Sequence, residues 1–297
     1  MALTVKPLHP VFAAEATGIR IGSEVSPEMV EEIEDLMAKY AVLVLRDQNC
    51  TDEEQVAFAK FFGPRESPAG ATTYGPQNAN RLPMYMFDAG NIGLDGEILP
   101  LDNARRQMRL GDRLWHSDSS FNPLPTKWSM LSGRVIPPAG GNTDFADARA
   151  GYDTLPDSTK QKLEGLVAEH SIWHSRVKGG MPAEMIGTAQ LNVLPPVYQP
   201  IVRTIPRSGR KALMVGSHAG RIPGMPTEEG RKLLEELTEH VTQPKHVYSH
   251  TWKQGDLVMW DNRCTLHRAT PFDDTKFKRD MRRTTVDEFA PSWAMVG

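Results

Sequence analysis

The chain has 297 residues, a formal net charge of −3 and 39% apolar residues, which suits a globular protein with a sizeable core and indicates no nucleic-acid partner. The longest aliphatic run, residues 41–45, is too short to span a membrane, and residues 1–19 lack the pattern of a signal peptide. The two cysteines, Cys50 and Cys264, indicate no disulfide framework, so a cytoplasmic protein is expected.

The beginning of the chain carries alternating helix and strand signals. Ser26-Pro27 supplies a helix N-cap and a proline at the first helical position, and apolar residues then recur at helical spacing. The apolar run 41–45 predicts a strand. A capping box at residues 51–54 predicts a second helix, which Gly63-Pro64 ends.

The remainder of the chain contains many short strand signals separated by turns. Strands are predicted at 114–118, 128–135, 142–146, 167–174, 211–215, 246–252, 256–260 and 282–287, and helices at 156–166 and 227–241. Two stretches with little periodicity, 65–112 and 175–210, are interpreted as loop-rich insertions, and the first is expected to cover the functional site. We therefore expect a single domain over residues 1–297, mainly β with flanking helices, built as a double-stranded β-helix (jelly roll).

Metal binding is suggested by His116-Ser117-Asp118 together with the distant His267. Side chains two residues apart share one face of a strand, so His116 and Asp118 would point the same way. If the fold adds His267 to that face, two imidazoles and one carboxylate could hold a metal and leave its opposite side open, as in non-haem iron(II) oxygenases. Pairs with this spacing also arise by chance, and an aspartate near a strand end often only caps a turn.

A second candidate feature is the basic cluster at residues 279–283. Arg279 and Arg283 are four residues apart, so on a strand they face the same side. An arginine fork can bind a carboxylate with two charge-assisted hydrogen bonds. The alternative interpretation is a strand edge with its guanidinium groups in water.

Several sequence motifs follow one another in an order typical of one enzyme family. They are WHSDSSF at 115–121, GNTDF at 141–145, WDNRC at 260–264, and the segment 267–283. Together they resemble the iron(II)/2-oxoglutarate-dependent dioxygenases of the taurine dioxygenase family, and most closely the branch that acts on 2,4-dichlorophenoxyacetate. The similarity extends over residues 7–287, and several motifs in the right order are more specific than any one of them.

The resemblance implies a role for each matching residue. His116, Asp118 and His267 would be the iron(II) ligands and hence the catalytic centre. Thr143 and Arg279 would bind the distal carboxylate of 2-oxoglutarate, the co-substrate consumed with O2. The physical chemistry agrees, because a hydroxyl beside an arginine fork adds one more hydrogen bond to the same carboxylate.

The resemblance also implies a substrate-binding pair. Arg283 would hold the carboxylate of the organic acid, and His218 would lie near the substrate pocket, although a hydrogen-bonded core histidine is the alternative. The implied reaction is hydroxylation of an aryloxyalkanoate next to its ether oxygen, which gives a phenol, glyoxylate, succinate and CO2.

Three other functions remain open at this point. The same chemistry could act on a sulfonate such as taurine or on another small carboxylate, because arginine binds both groups. Two histidines and a carboxylate also suit a zinc hydrolase, and a non-catalytic binding protein could share the fold. The expected partner is a small organic acid, without nucleic acid or membrane, and association of identical chains is left open.

Overall fold

The computed structural model describes residues 3–66, 81–83 and 85–289. The strands, β1 to β15, are Thr4–Pro7, Ala14–Thr17, Val42–Leu45, Phe87–Asp88, Thr126–Val135, Thr143–Asp147, Val167–His170, Val197–Pro200, Val202–Thr204, Lys211–Leu213, Ala219–Arg221, Val247–His250, Leu257–Asp261, Thr265–Ala269 and Asp280–Asp287. The helices, α1 to α8, are Pro27–Tyr40, Asp52–Ala59, Ala104–Met108, Ala148–Asp153, Asp157–Leu163, Ile172–Lys178, Thr188–Val193 and Thr227–Val241. Within this part of the chain, none of the helices is both long and apolar enough to cross a membrane.

Two sheets carry three of the residues predicted to be functional, Thr143, His267 and Arg283. The larger sheet has the strand order β1-β2-β3-β13-β5-β15-β4, and the smaller one has the order β12-β6-β14. β13 and β15 both pair antiparallel with β5, while β12 and β14 both pair antiparallel with β6. Because β13 and β14 are consecutive strands in different sheets, the short turn between them carries the chain from one sheet to the other.

A hydrophobic cluster lies between the two sheets. Val258 and Trp260 of β13 and Phe145 of β6 belong to it, and the rings of Phe145 and Trp260 are 5.5 Å apart. The alternate residues of β13, Leu257 and Met259, belong to a second cluster that includes residues of α1 and α2. β13 is therefore buried on both faces, which explains its continuously apolar sequence.

The first two helices begin where the sequence predicts. Ser26 Oγ accepts a hydrogen bond from Met29 N–H at the start of α1, and the capping box of α2 is formed in both directions between Thr51 and Glu54. These helices pack on the outer face of the larger sheet through the second cluster. The remaining predicted elements agree with the structure within a few residues, with two exceptions.

The exceptions are the strands predicted at 114–118 and 167–174, and both predictions are wrong. Within the part of the chain that the structure describes, the only ladder contact of residues 114–118 is an isolated bridge between His116 and His267, because the chain turns from Asp118 onward. β7 ends at His170, and α6 follows because Ser171 Oγ accepts from Trp173 N–H and caps a helix. The local cap outweighs the strand preference of the apolar residues around it.

Both stretches interpreted as irregular contain secondary structure. The stretch 65–112 includes β4, α3 and most of a 3-10 turn at Arg109–Arg113, and its residues 67–80 and 84 lie outside the described residues. The stretch 175–210 includes the end of α6 and all of α7, β8 and β9. These elements are too short to produce a clear periodic pattern in the sequence.

We predict that the ion pair between Arg149 and Asp147, at the junction of β6 and α4, is essential for stability. Both side chains are fully buried, and the guanidinium donates to the carboxylate through two nitrogens, at 2.9 and 3.1 Å. Arg149→Met would leave the carboxylate uncompensated, so denaturant unfolding should show a loss of about 3–5 kcal/mol. Arg207→Met is the control, because its partners Asp35 and Glu31 are exposed and about 1 kcal/mol or less should be lost. Equal losses in the two variants would contradict this prediction.

Candidate metal centre and anion-binding cavity

The structure brings His116, Asp118 and His267 together from two remote parts of the chain. Their ligand atoms all lie within 4.8 Å of one another, and all three residues are buried. His116 Nε2 is 3.9 Å from Asp118 Oδ1, and His267 Nε2 is 3.6 Å from Asp118 Oδ2. The backbones of the two histidines exchange hydrogen bonds of 3.0 and 2.8 Å. Directly paired residues of an antiparallel ladder present their side chains on the same face, so the rings lie side by side.

Both imidazole rings are held in a fixed orientation by their surroundings. His116 Nδ1 lies 2.8 Å from the carbonyl oxygen of Leu114, which can only accept, so Nδ1 donates, and in the neutral tautomer the lone pair is on Nε2. The ring of His267 packs against Trp260, with centroids 4.9 Å apart, and stacks on Phe145 at 6.1 Å. Burial, followed by the charge of His116, lowers the pKa of His267 to about 3, so this imidazole is neutral.

Asp118 is ionised despite its burial. Burial alone would raise its pKa, but Arg283, His267, His116 and the Ser129 hydroxyl outweigh this effect and hold the pKa well below its usual range. Arg283 Nη1 donates to Oδ1, and Ser129 Oγ donates to Oδ2 at 2.7 Å. Two imidazoles and one carboxylate therefore converge, the donor set that suits iron(II) with open coordination positions.

The turn after Asp118 has a strained backbone. Ser119 has φ 51°, a left-handed conformation that costs a non-glycine residue about 1–2 kcal/mol. The Ser119 hydroxyl donates to Glu66, and the Ser119 carbonyl accepts from Asn122 N–H at 2.9 Å. These contacts hold the turn, and they explain why the strand predicted at 114–118 does not continue through Asp118.

A cavity of about 400 Å³ lies beside the three candidate ligands. Its lining includes His116 and His267 together with Thr143, Arg279 and Arg283. The structure therefore brings the sequence-predicted co-substrate residues and one predicted substrate residue to the same cavity as two of the predicted iron ligands. The third ligand, Asp118, lines an adjoining recess.

Arg279 is a buried cation that has no counter-ion among the described residues. Within the described residues no carboxylate pairs with its guanidinium, and its Nε has no hydrogen-bond partner. Burial, followed by the charge of Arg109, lowers the pKa of Arg279 to about 10. An uncompensated charge in the interior is unfavourable, so this end of the cavity is suited to an anion from solution.

Thr143, the first residue of β6, is oriented by Trp252. The indole Nε1–H donates to Thr143 Oγ1 at 3.0 Å. A hydroxyl has one hydrogen and two lone pairs, and Trp252 occupies one lone pair. The hydroxyl hydrogen of Thr143 is therefore free to donate to a ligand in the cavity.

Arg283 and His218 line the recess of about 50 Å³, which also includes His116 and Asp118. The Arg283 guanidinium lies over the ring of Phe87 at 4.5 Å, and its Nε has no partner within the described part of the chain. His218 meets His116 edge to face, with centroids 5.8 Å apart. Burial, followed by the charges of His116 and Arg176, lowers the pKa of His218, so this ring is neutral. Its Nδ1 also lacks a hydrogen-bond partner among the described residues.

The sequence analysis missed three residues that contact the site, Ser129, Asn262 and Trp252. Asn262 belongs to the WDNRC motif that carries the family resemblance, but no role was assigned to it. Ser129 lies next to Trp128, Met130 and Leu131, and a polar residue inside an apolar strand is a signal that could have identified it.

Comparison with known proteins identifies the family. Residues 4–285 match the family described as taurine catabolism dioxygenase TauD, TfdA family. The chain belongs to this family. The chain is 44% identical over 289 residues to the alpha-ketoglutarate-dependent 2,4-dichlorophenoxyacetate dioxygenase of Cupriavidus pinatubonensis (strain JMP 134 / LMG 1197). The match covers 97% of this chain and 99% of that protein. It is 43% identical over 287 residues to a protein of the same name from Burkholderia sp. (strain RASC), covering 96% of this chain and 95% of the relative.

A solved structure is similar over nearly the whole chain. The crystal structure of AAD-2 in complex with Mn(II) and N-oxalylglycine has a TM-score of 0.94 and 46% sequence identity, and the match covers 98% of this chain and 100% of that chain. The expected family, the jelly-roll fold and the dioxygenase class are confirmed. Membership of this TauD, TfdA family favours a dioxygenase over a zinc hydrolase or a non-catalytic binding protein.

We predict that Arg279→Met stabilises the protein when metal and ligands are absent. The folded state lowers the pKa of Arg279 from 12.5 to about 10, so the charge destabilises the fold at any pH below about 10. Removing it should raise the free energy of unfolding by on the order of 1–3 kcal/mol, since one pKa unit corresponds to about 1.4 kcal/mol. Denaturant unfolding measures the change. Arg268→Met is the control, because that arginine is half-exposed and paired with Asp144, and it should be neutral or slightly destabilising. A clear loss of stability in Arg279→Met would count against an uncompensated charge.

Proposed function

We propose that this protein is an iron(II)- and 2-oxoglutarate-dependent dioxygenase that hydroxylates an aryloxyalkanoate, such as 2,4-dichlorophenoxyacetate, at the carbon beside the ether oxygen. The observation that carries the proposal is the juxtaposition of the buried triad His116, Asp118 and His267 with the uncompensated Arg279. A site for a metal alone would not require the buried positive charge of Arg279. The names of the two relatives that are 43% and 44% identical support the substrate class.

His116, Asp118 and His267 would hold the iron from one side. The neutral ring of His267 and the ionised carboxylate of Asp118 are already in the protonation states that a metal needs, so binding releases no proton from either group. When bound, iron(II) supplies the oxidation of a substrate C–H bond by O2, coupled to decarboxylation of 2-oxoglutarate to succinate and CO2. The protein's own contribution is to aim the substrate and to exclude water.

Arg279 and Thr143 would bind the distal carboxylate of 2-oxoglutarate. The guanidinium offers two donors to the carboxylate, and the hydroxyl oriented by Trp252 offers a third. The charge of Arg109 adds to the attraction for an anion at this end of the cavity. The co-substrate thereby compensates the buried charge that no carboxylate of the described residues neutralises.

Arg283 would bind the carboxylate of the organic substrate. Its Nη1 is engaged by Asp118, while its Nε is available to a second carboxylate. Neutral His218 offers one donor and one acceptor in the same recess. Hydroxylation of the carbon beside the ether oxygen gives a hemiacetal, and transfer of its hydroxyl proton to the leaving phenoxide yields a phenol and glyoxylate.

We predict turnover with aryloxyacetates in a substrate panel. The protein is supplied with iron(II), 2-oxoglutarate and O2, and the panel contains aryloxyacetates, aryloxypropionates, taurine and aromatic acids. Succinate should form in equal amounts with phenol and glyoxylate when an aryloxyacetate is present. His116→Ala and Asp118→Ala should form no succinate while remaining folded by circular dichroism. Coupled turnover of taurine instead would refute the substrate class, and normal succinate production by either alanine variant would refute the ligand assignment.

We further predict that Arg279→Met and Arg283→Met affect different reactants. Arg279→Met should weaken the binding of 2-oxoglutarate by about 2–5 kcal/mol and so raise the concentration required for turnover, because the co-substrate carboxylate loses a buried charged partner. Arg283→Met should act mainly on the KM of the organic acid. Initial rates measured against each reactant separate the two effects. An unchanged 2-oxoglutarate dependence would remove Arg279 from the co-substrate site, and an unchanged response to the organic acid would remove Arg283 from the substrate site.

A further inference from the structure

A buried serine lies directly behind the predicted carboxylate ligand. Ser129 of β5 has no exposed surface, and its Oγ donates to Asp118 Oδ2 at 2.7 Å. The same oxygen accepts a hydrogen bond of 2.9 Å from Asn262 Nδ2. The direction of both bonds is fixed, because an ionised carboxylate can only accept and an amide nitrogen can only donate. The single hydroxyl hydrogen of Ser129 is therefore committed to Asp118.

The orientation of the Asn262 side chain is fixed in turn. Asn262 lies in the turn between β13 and β14, and its Oδ1 accepts from Asp118 N–H at 3.1 Å and from Trp260 Nε1–H at 2.9 Å. Rotating the amide by half a turn would point its NH2 group at two donors and its oxygen at Ser129 Oγ. All three side-chain contacts therefore select one orientation. The backbone oxygen of Asn262 adds a fourth contact by accepting from Ser117 Oγ at 2.5 Å.

These contacts connect the two remote segments that carry the ligands. Asn262 lies in the turn that leads into β14, the strand that carries His267. It accepts hydrogen bonds from both Ser117 and Asp118 of the other segment. The ladder between β5 and β13 sets Trp260 opposite Ser129, which places the serine hydroxyl between Asn262 and Asp118. Asn262 thus contacts both segments. It lies in the turn that leads to His267, and through Ser129 it also holds the carboxylate of Asp118.

We propose that Ser129 and Asn262 are positioning residues that orient Asp118 for metal binding, a proposal that rests on the metal-binding function proposed above. Neither residue is one of the three ligands. Ser129 holds Oδ2 and Arg283 holds Oδ1, while Asn262 holds the backbone N–H, so the side chain and the backbone of Asp118 are both fixed before a metal arrives. Removing such support from a ligand weakens metal affinity by about 10–100-fold.

The proposal is tested by titrating the ligand-free protein with Mn²⁺ in the absence of 2-oxoglutarate. Ser129→Ala should raise the Mn²⁺ Kd by about 10–100-fold, and Ser129→Thr, which keeps the hydroxyl, should bind more tightly than Ser129→Ala. Ser132→Ala is the matched control, because Ser132 is equally buried on the same strand but donates to Arg282 O at 3.3 Å, away from the ligands. Wild-type affinity in Ser129→Ala, or an equal loss in both alanine variants, would overturn the proposal.

Asn262→Asp tests the hydrogen bond from Asn262 to Ser129. This variant is informative even if Ser129→Ala fails to fold. The variant keeps an acceptor for Asp118 N–H and Trp260 Nε1–H but loses the donor to Ser129. The added negative charge would by itself strengthen cation binding, so a raised Mn²⁺ Kd is opposite to the Coulombic effect and is the result expected from lost orientation. We expect a Kd at least about 10-fold above that of the wild type. Equal or tighter binding would overturn the role of Asn262, whereas failure of the wild-type protein to bind Mn²⁺ would refute the metal site itself.

Discussion

One antiparallel backbone pair, His116 with His267, is the contact on which the candidate site depends. It is an isolated bridge, yet it joins the turn that carries Asp118 to β14 of the smaller sheet. β14 also pairs with β6, so that His267 lies opposite Phe145, and Ala269 lies opposite Thr143. Residues two apart on a strand share a face, so the same ladder that places the third ligand also places Thr143 on the cavity side. The register between β6 and β14 therefore sets the distance between the candidate metal site and the candidate anion site at Thr143.

The charges around the cavity show that it is built to receive anions. Other buried arginines are matched locally, for example Arg149 with Asp147, Arg203 with Glu288 and Arg263 with Asp261. Arg279 is buried without such a match within the described residues, and the charge of Arg109 adds to the imbalance. A perturbed, uncompensated charge in a cleft is typical of a functional site. The stability lost at this position is offset by the paired charges and the apolar clusters elsewhere in the fold.

The sequence predicts which residues meet at the candidate site better than it predicts their surroundings. The predicted metal ligands and carboxylate-binding residues could be selected because several motifs occur in one order along the chain, and the structure brings them together. The prediction that His116 and Asp118 share a strand is wrong, because a strand requires a partner and, of these two, only His116 has one among the described residues. The hydrogen bonds that connect Asn262, Ser129 and Asp118 could not be predicted from the sequence. They depend on the register between β5 and β13, which brings together residues far apart in sequence. Short helices such as α3 and α7 were missed because they contain too few turns to show a period.

The positive charges of Arg279 and Arg283 are neutralised to different extents, and this difference sets the expected order of anion binding at the two proposed sites. Arg283 already donates to Asp118, so in the ligand-free protein part of its charge is balanced. Arg279 has no such partner among the described residues, and an incoming carboxylate gains the full benefit of neutralising it. If Asp118 held a metal, its negative charge would be shared, and Arg283 would be left with less compensation. Under the proposed roles, the electrostatics would therefore favour binding of the co-substrate at Arg279 before binding of the organic acid at Arg283.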